Sequence, residues 1–596
     1  MKRSIATILF FFTLLSTSMA QTNINFEVSF KEPQAHYADI AMQISGIKKD
    51  YIDVKMPVWS PGSYLVREYA KNVERFKAVS STGEAVPVEK ISKNTWRIHS
   101  KNQQQVTINY SVYGFEVSVR TNYIDDSHAF LQPTATFMHV DGELAQPVTV
   151  KINPAAAWSK ISTGLKEIGT NTFQAENFDI FYDSPIEVGN QDVWNFNAAG
   201  VNHEFAMVGP GNYNKERLSK DITKIVELQT ELFGVNPNDR YVFITHNYQS
   251  GGGGLEHLNS TVLGASRNAY NTPLGYNNFL ALVSHEYFHL WNVKRLRPEA
   301  LGPFDYDNEN YTEGLWIMEG FTGYYDNQIV RRAGFTTPNE YLNLLAGDFN
   351  AVYNRPGYEI QTVAESSFDA WIKQYRPDEN SANTSISYYN KGSMLAAALD
   401  VKIIAATAGK KRLDDVLKAA YQEFYVKQQR GFKESEFKAL AEKVTGVSLT
   451  EIFQAAHSHG ELDYNTYFNK VGYTLYDSNR GSDDLSLGAT LSKDDGRIYV
   501  KSIERNGAAW EAGLSAKDEL IAINGVRLDM QDKELDYILK TAKEGDKLSV
   551  LVARDGLLKD ISLDLKTTYK KAYKIVQNEN ITNEQRKLGN IWLSIK

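Results

Sequence analysis

The chain has 596 residues, 42% of them hydrophobic, 23% charged and 12% aromatic, the composition of a soluble globular protein long enough for about three or four domains. Sixty-four Lys and Arg stand against 72 Asp and Glu, a net charge of −8, which gives no polybasic footprint for phosphate backbones and excludes nucleic acid as a partner. The absence of Cys excludes disulfides, Cys-ligated zinc, iron–sulfur clusters and thiol nucleophiles, so any metal must sit on His, Asp or Glu.

At the N-terminus, Lys2 and Arg3 precede an apolar run over 8–15 and small residues up to Ala20, the order of a secretory signal spanning 1–20. The run is short for a membrane span. An exported product, periplasmic or secreted, is expected, with no membrane span once the signal is cleaved and a net charge of −10 after loss of Lys2 and Arg3. The lack of Cys suits an oxidising compartment.

Residues 21–180 alternate short apolar-periodic segments with turn-rich stretches, as in Val106-Thr107-Ile108-Asn109-Tyr110, and are expected to form an all-β domain. Within it the aromatic turn over 56–64, containing Trp59, Pro61, Gly62 and Tyr64, is read as a packed corner. Residues 181–476 begin with mixed helix and strand patterns, including a strand at 241–245 that runs into Gly251-Gly252-Gly253-Gly254, and become mostly helical over 278–297, 315–332, 394–408 and 413–425. A Gly-Asn-Asp-rich linker opens a compact, strand-dominated module at 477–570 with a hairpin signal at Asn524-Gly525. Residues 571–596 are left as a C-terminal tail. The fold class is therefore multidomain α+β.

The chemistry is carried by His285-Glu286-Tyr287-Phe288-His289, placed in the middle of a helix. Imidazoles at i and i+4 share one face and can hold one zinc ion, with the intervening Glu286 close enough to act as general base. With no His between His289 and His457, the third ligand should be a carboxylate. Glu299, Asp305, Asp307 and Glu309 fall in a Pro/Gly/Asn/Asp-rich loop and Glu313 would point away from the Glu319 face, so Glu319, inside the next helix, is preferred. His457 and His459 are read as surface residues.

The runs "SHEYFHLWNVKRLRP", "LWIMEGFTGYY", "GGGGLEHLNS" and "PVWSPGSYLVREY", followed by "GAAWEAGLSAKDELIAINGV", together resemble the glycyl aminopeptidases, metallopeptidase family sixty-one, which are PDZ-containing gluzincins related to aminopeptidase N. The resemblance implies a thermolysin-like catalytic domain with a helical C-terminal part, a PDZ domain at 477–570, and zinc on His285, His289 and Glu319. It also implies an amine-binding Glu256 in "GGLEH", where Gly253 and Gly254 let substrate backbone pair along the strand edge, and an oxyanion-donating tyrosine in "YYNKG", Tyr389 rather than Tyr388. The 29 residues between His289 and Glu319 exceed the aminopeptidase N spacing, so Asn292, Lys294, Arg295, Arg297 and Thr322 receive no role. The expected activity is zinc-dependent removal of N-terminal Gly, then Ala, from peptides with a free N-terminus, and the PDZ domain implies a peptide or protein C-terminus as a further partner. The alternatives are a zinc endopeptidase fed by the PDZ domain, and a non-catalytic periplasmic PDZ binding protein.

Overall fold

The computed structural model describes residues 22–249, 251–531 and 533–595; the signal peptide read at 1–20 lies outside the described residues. Among these, no helix is long and apolar enough to cross a membrane.

The first domain is built on an eight-stranded sheet and two four-stranded sheets. Its logic is visible in Asn23–Ser29, where Ile24, Phe26 and Val28 are buried and the residues between them face out, the period-2 signature of a half-buried strand. Two short helices, Pro133–Thr136 and Phe178–Tyr182, interrupt the strands. The domain extends further than the boundary at 180 expected above. The strand Ile186–Gly189, buried at every position and so lacking any alternation, pairs with Ala129–Leu131 and Lys160–Thr163 of this domain.

The second domain opens on a five-stranded sheet in the order Asp192–Ala198, Val201–Val208, Arg240–Tyr248, Ser260–Ser266, Gly254–Glu256. The central pairs are parallel, and Gly254–Glu256 runs antiparallel as an edge strand. The helices Lys215–Phe233, Pro273–Phe288, Leu315–Arg332 and Tyr388–Ala406 share one large core with it. Val58, Trp59 and Tyr64 of the first domain enter that same core, and the Trp59 indole donates to the Asp305 carbonyl at 2.7 Å. The aromatic turn is thus packed, but into the neighbouring domain.

The third domain has its own core, with Ile498, Val500, Val550 and Val552 at its centre, and a sheet in which Val526–Arg527 folds back on Glu519–Ile523 through Asn524-Gly525, the expected hairpin. It touches the second domain through Asn383, whose side chain donates to the Ile503 carbonyl at 2.7 Å and accepts from the Arg505 amide at 2.8 Å. Residues 571–596 are not a tail. Tyr573–Gln577 pairs with Tyr473–Asp477, and the helix Asn583–Trp592 buries Leu588 and Trp592 in the second domain's core. The periodicity of so short an amphipathic helix, separated by a whole domain from its partners, gave no sign of where it docks.

Candidate active site

The HEYFH helix starts at Thr272, whose hydroxyl accepts from the Gly275 amide, with Pro273 at its first position. Tyr276, Phe279, Leu280, Val283 and Tyr287 bury one face. The helix closes at His289, its C-cap, so the motif occupies the last turn rather than the middle as expected. Two side chains four residues apart still share a face, and the two imidazole rings stand 4.7 Å apart.

The outward-facing nitrogens of both rings are engaged. His285 Nδ1 pairs with Asp326 Oδ2 at 3.1 Å, and His289 Nδ1 with the Asn292 carbonyl at 2.7 Å. This leaves both Nε2 atoms directed at Glu319 Oε2, at 3.5 and 3.2 Å. Burial alone would push the Glu319 carboxyl up, but His289 and His285 outweigh it and hold it down to about 2. Two imidazoles fixed from behind and one ionised carboxylate, converging on a common point, are a donor set that fits zinc with a coordination position left for water or substrate.

The helix Leu315–Arg332 supplies two of these groups, since Asp326 lies seven residues, two turns, beyond Glu319 on the same face. Asn292 locks it to the HEYFH helix. Its side-chain amide donates to the carbonyls of Met318 and Ile317 at 3.0 and 3.3 Å, and to Thr322 Oγ1 at 3.2 Å. Asn292, Thr322 and Asp326 were given no part on sequence grounds; an Asp seven residues after a helical Glu was the signal available for Asp326. Glu299, Asp305, Asp307, Glu309 and Glu313 do not join the donors. Asp307, for example, pairs with Lys55 at 2.8 Å, and His457 pairs with Glu434 at 2.7 Å.

Glu286, Glu256, Gly253, Gly254 and Tyr389 line one cavity of about 260 Å³ with the three donors. Burial pushes the Glu286 carboxyl up to about 7 against the opposing pull of His285 and His289. Gly254 lies directly on Glu286, where a Cβ would come within 2.2 Å of Oε1, so only Gly allows the edge strand this close. Glu256 is 4% exposed and its Oε1 has no hydrogen-bond partner. Tyr389 stacks 6.2 Å from the His285 ring, whereas Tyr388 is fully buried behind it, outside the cavity lining.

The first domain closes the far end. Ser60-Pro61-Gly62-Ser63 forms a turn in which the Ser63 amide donates to the Ser60 carbonyl at 2.9 Å and Gly62 takes φ +87°, the type II pattern that Pro-Gly favours. A Cβ on Gly62 would lie 2.5 Å from Glu256 Oε1. The Pro-Gly pair signalled the turn, but its place beside Glu256 depends on the packing of two domains.

An HExxH helix whose imidazoles meet a carboxylate from the following helix defines the class of zinc metallopeptidases. The M61 peptidase N-terminal domain matches residues 25–190, the M61 glycyl aminopeptidase domain residues 278–395 and a PDZ domain residues 486–565. A solved aminopeptidase N family protein from Idiomarina loihiensis is similar over 96% of this chain and 100% of its own, with 29% identity and a TM-score of 0.89. The M1 zinc metallopeptidase of Deinococcus radiodurans is 12% identical over 74% of this chain and 94% of its own, with a TM-score of 0.46. The carboxy-terminal processing protease CtpB of Bacillus subtilis is 31% identical over 105 residues, 17% of this chain and 22% of that protein. The chain thus spans about a fifth of the length of the curated relatives it matches. The chain carries segments that match the M61 N-terminal and M61 glycyl aminopeptidase domains, followed by a match to a PDZ domain.

Proposed function

We propose that the protein is a zinc aminopeptidase that removes a small N-terminal residue, Gly before Ala, from peptides with a free N-terminus. His285, His289 and Glu319 would hold the zinc. When bound, the metal supplies Lewis acidity toward the scissile carbonyl and lowers the pKa of water at the site. Glu286 takes a proton from the attacking water and returns it to the departing amine. Tyr389 donates its phenolic proton in a hydrogen bond to the carbonyl oxygen as that oxygen gains charge. Glu256 receives the substrate ammonium and so fixes the first peptide bond beside Glu286.

The observation that carries this reading is the orphaned Glu256 Oε1, buried in the cavity and backed by Gly62. A buried carboxylate oxygen without a partner is costly, and a ligand cation relieves that cost. The wall at Gly62 and the small cavity favour a short side chain at the N-terminus. The leader-like residues 1–20 add export to the periplasm or beyond, and the PDZ domain adds binding of a peptide C-terminus along a sheet edge.

The direct test of the chemistry is Glu286→Gln. It should keep one zinc per chain by metal analysis, yet lose hydrolysis of Gly-initiated peptides by about 10³-fold or more. Wild-type rates in the variant, or full activity of zinc-free wild type, would overturn the assignment.

A further inference from the structure

The cavity has one permanently charged cation among its described lining residues, Arg120, and the reaction outlined above gives it no task. Arg120 is contributed by the first domain. Its Nη2 donates to the Gly254 carbonyl at 3.1 Å, its Nε is buried without a partner, and it forms no ion pair with any carboxylate among the described residues. Burial works against the guanidinium's charge, but the neighbouring Tyr375, Tyr389, Glu286 and Glu256 outweigh it and favour the cation without a direct pair.

Its position is nonetheless fixed. The Arg120 carbonyl accepts from the Tyr69 hydroxyl at 2.9 Å, and that hydroxyl lies 2.8 Å from Ser60 Oγ, in the turn that presents Gly62 to Glu256. One network therefore sets both the wall behind the amine anchor and the cation over Gly254.

The order of groups along the edge strand gives the cation a use. Glu256 stands at one end, Glu286 lies against Gly254 two residues back, and Arg120 covers Gly254 and Gly253, with a Cβ on Gly253 falling 3.8 Å from Nη1. Strand residues rise about 3.3 Å each. An extended peptide with its ammonium on Glu256 and its first bond at Glu286 therefore brings its second residue to Arg120.

We propose that Arg120 binds the C-terminal carboxylate of the leaving residue, making dipeptides with a free C-terminus the preferred substrates. This rests on the aminopeptidase reading given above. A planar guanidinium matches a carboxylate with two parallel hydrogen bonds. The cavity of about 260 Å³ is smaller than pockets that hold drug-sized ligands, and Glu256 with Arg120 over Gly254, two residues back along the strand, would align the dipole of a short zwitterion.

The test compares kcat/KM for Gly-Ala and for Gly-Ala amide, which differ in one negative charge, in the zinc-loaded wild type, Arg120→Ala and Arg120→Lys. The wild type should favour the acid by about 10- to 100-fold. The ratio should fall toward one in Arg120→Ala, mainly through KM, with Arg120→Lys between. A wild type that cleaves acid and amide equally well, or a preference that survives both substitutions, would overturn the role of Arg120 and leave the aminopeptidase reading standing. If Arg120→Ala does not fold, the wild-type ratio and the Lys variant decide. Cleavage of neither peptide overturns the aminopeptidase reading and this inference with it.

Discussion

Glu256 illustrates how the surroundings of a single residue suggest the function proposed for it. Its carboxylate is held in an edge strand and closed off by a glycine from another domain, with one oxygen left free. Replacing it by Gln removes the charge and keeps the shape. Glu256→Gln should retain zinc and fold while losing on the order of a hundredfold in kcat/KM on a free Gly-initiated peptide, measured against wild type under the same conditions. At this scale the sequence was most legible where the chemistry is local. His285, Glu286 and His289 are set by spacing within one helix, and Glu319 by its place in the next. Glu256 and Tyr389 needed the likeness to a family. Gly62 and Arg120 were beyond reach because they come to the site from a different domain, 134 residues from Gly254 in the case of Arg120.

Between elements, the contact that matters is the crossing of Leu315–Arg332 with Tyr388–Ala406, because one helix carries Glu319 and the other Tyr389. The helices meet at Gly320 and Gly392, and a Cβ on Gly392 would fall 2.4 Å from the Trp316 carbonyl oxygen. Backbone cannot yield as a side-chain tip can, so Gly392→Ala should separate the helices, lower kcat by about tenfold or more and destabilise the fold by about 1–3 kcal/mol, read by kinetics and denaturant melts. The second helix is also held by Asp348, which accepts from Asn390 and Ser393 at 2.7 Å each. Burial pushes its carboxyl up to about 7 despite those donors, above the value near 3.9 of an unfolded chain. The folded state therefore retains a proton that the unfolded state releases, and this contribution to stability is full below about pH 4 and lost as pH rises through about 7. Asp348→Asn should remove that component, so the wild type should lose about 4 kcal/mol of stability relative to the variant across this window in melts taken from pH 4 to 8. The helices with strong motifs were read correctly in kind. The end of the HEYFH helix was not, because the apolar pattern continues past His289 into a turn where Val293 and Lys294 amides both bond the His289 carbonyl.

Across the whole molecule the site is a joint product of two domains, and the joint is made by specific groups. Glu187 bridges His128 of the first domain and His246 of the second at 2.8 and 2.9 Å, fully buried. The C-terminus is equally structural. Trp592 stacks on Phe468 and donates to the Tyr324 hydroxyl at 3.1 Å inside the second domain's core. Trp592→Ala should cost about 3–5 kcal/mol, and the loss should appear in the unfolding of the catalytic domain, not of the PDZ domain, when the two are followed separately. The three-domain order was legible in the sequence from texture and turn signals, whereas this return of the chain was not, since long-range docking leaves no local periodicity. The proposed reading makes recognition of a free N-terminus the condition for cleavage. It is tested most directly by offering the purified, zinc-loaded protein one short Gly-initiated peptide, free and N-acetylated, side by side. The expected result is release of glycine from the free peptide alone, and cleavage of both at equal rates would contradict it.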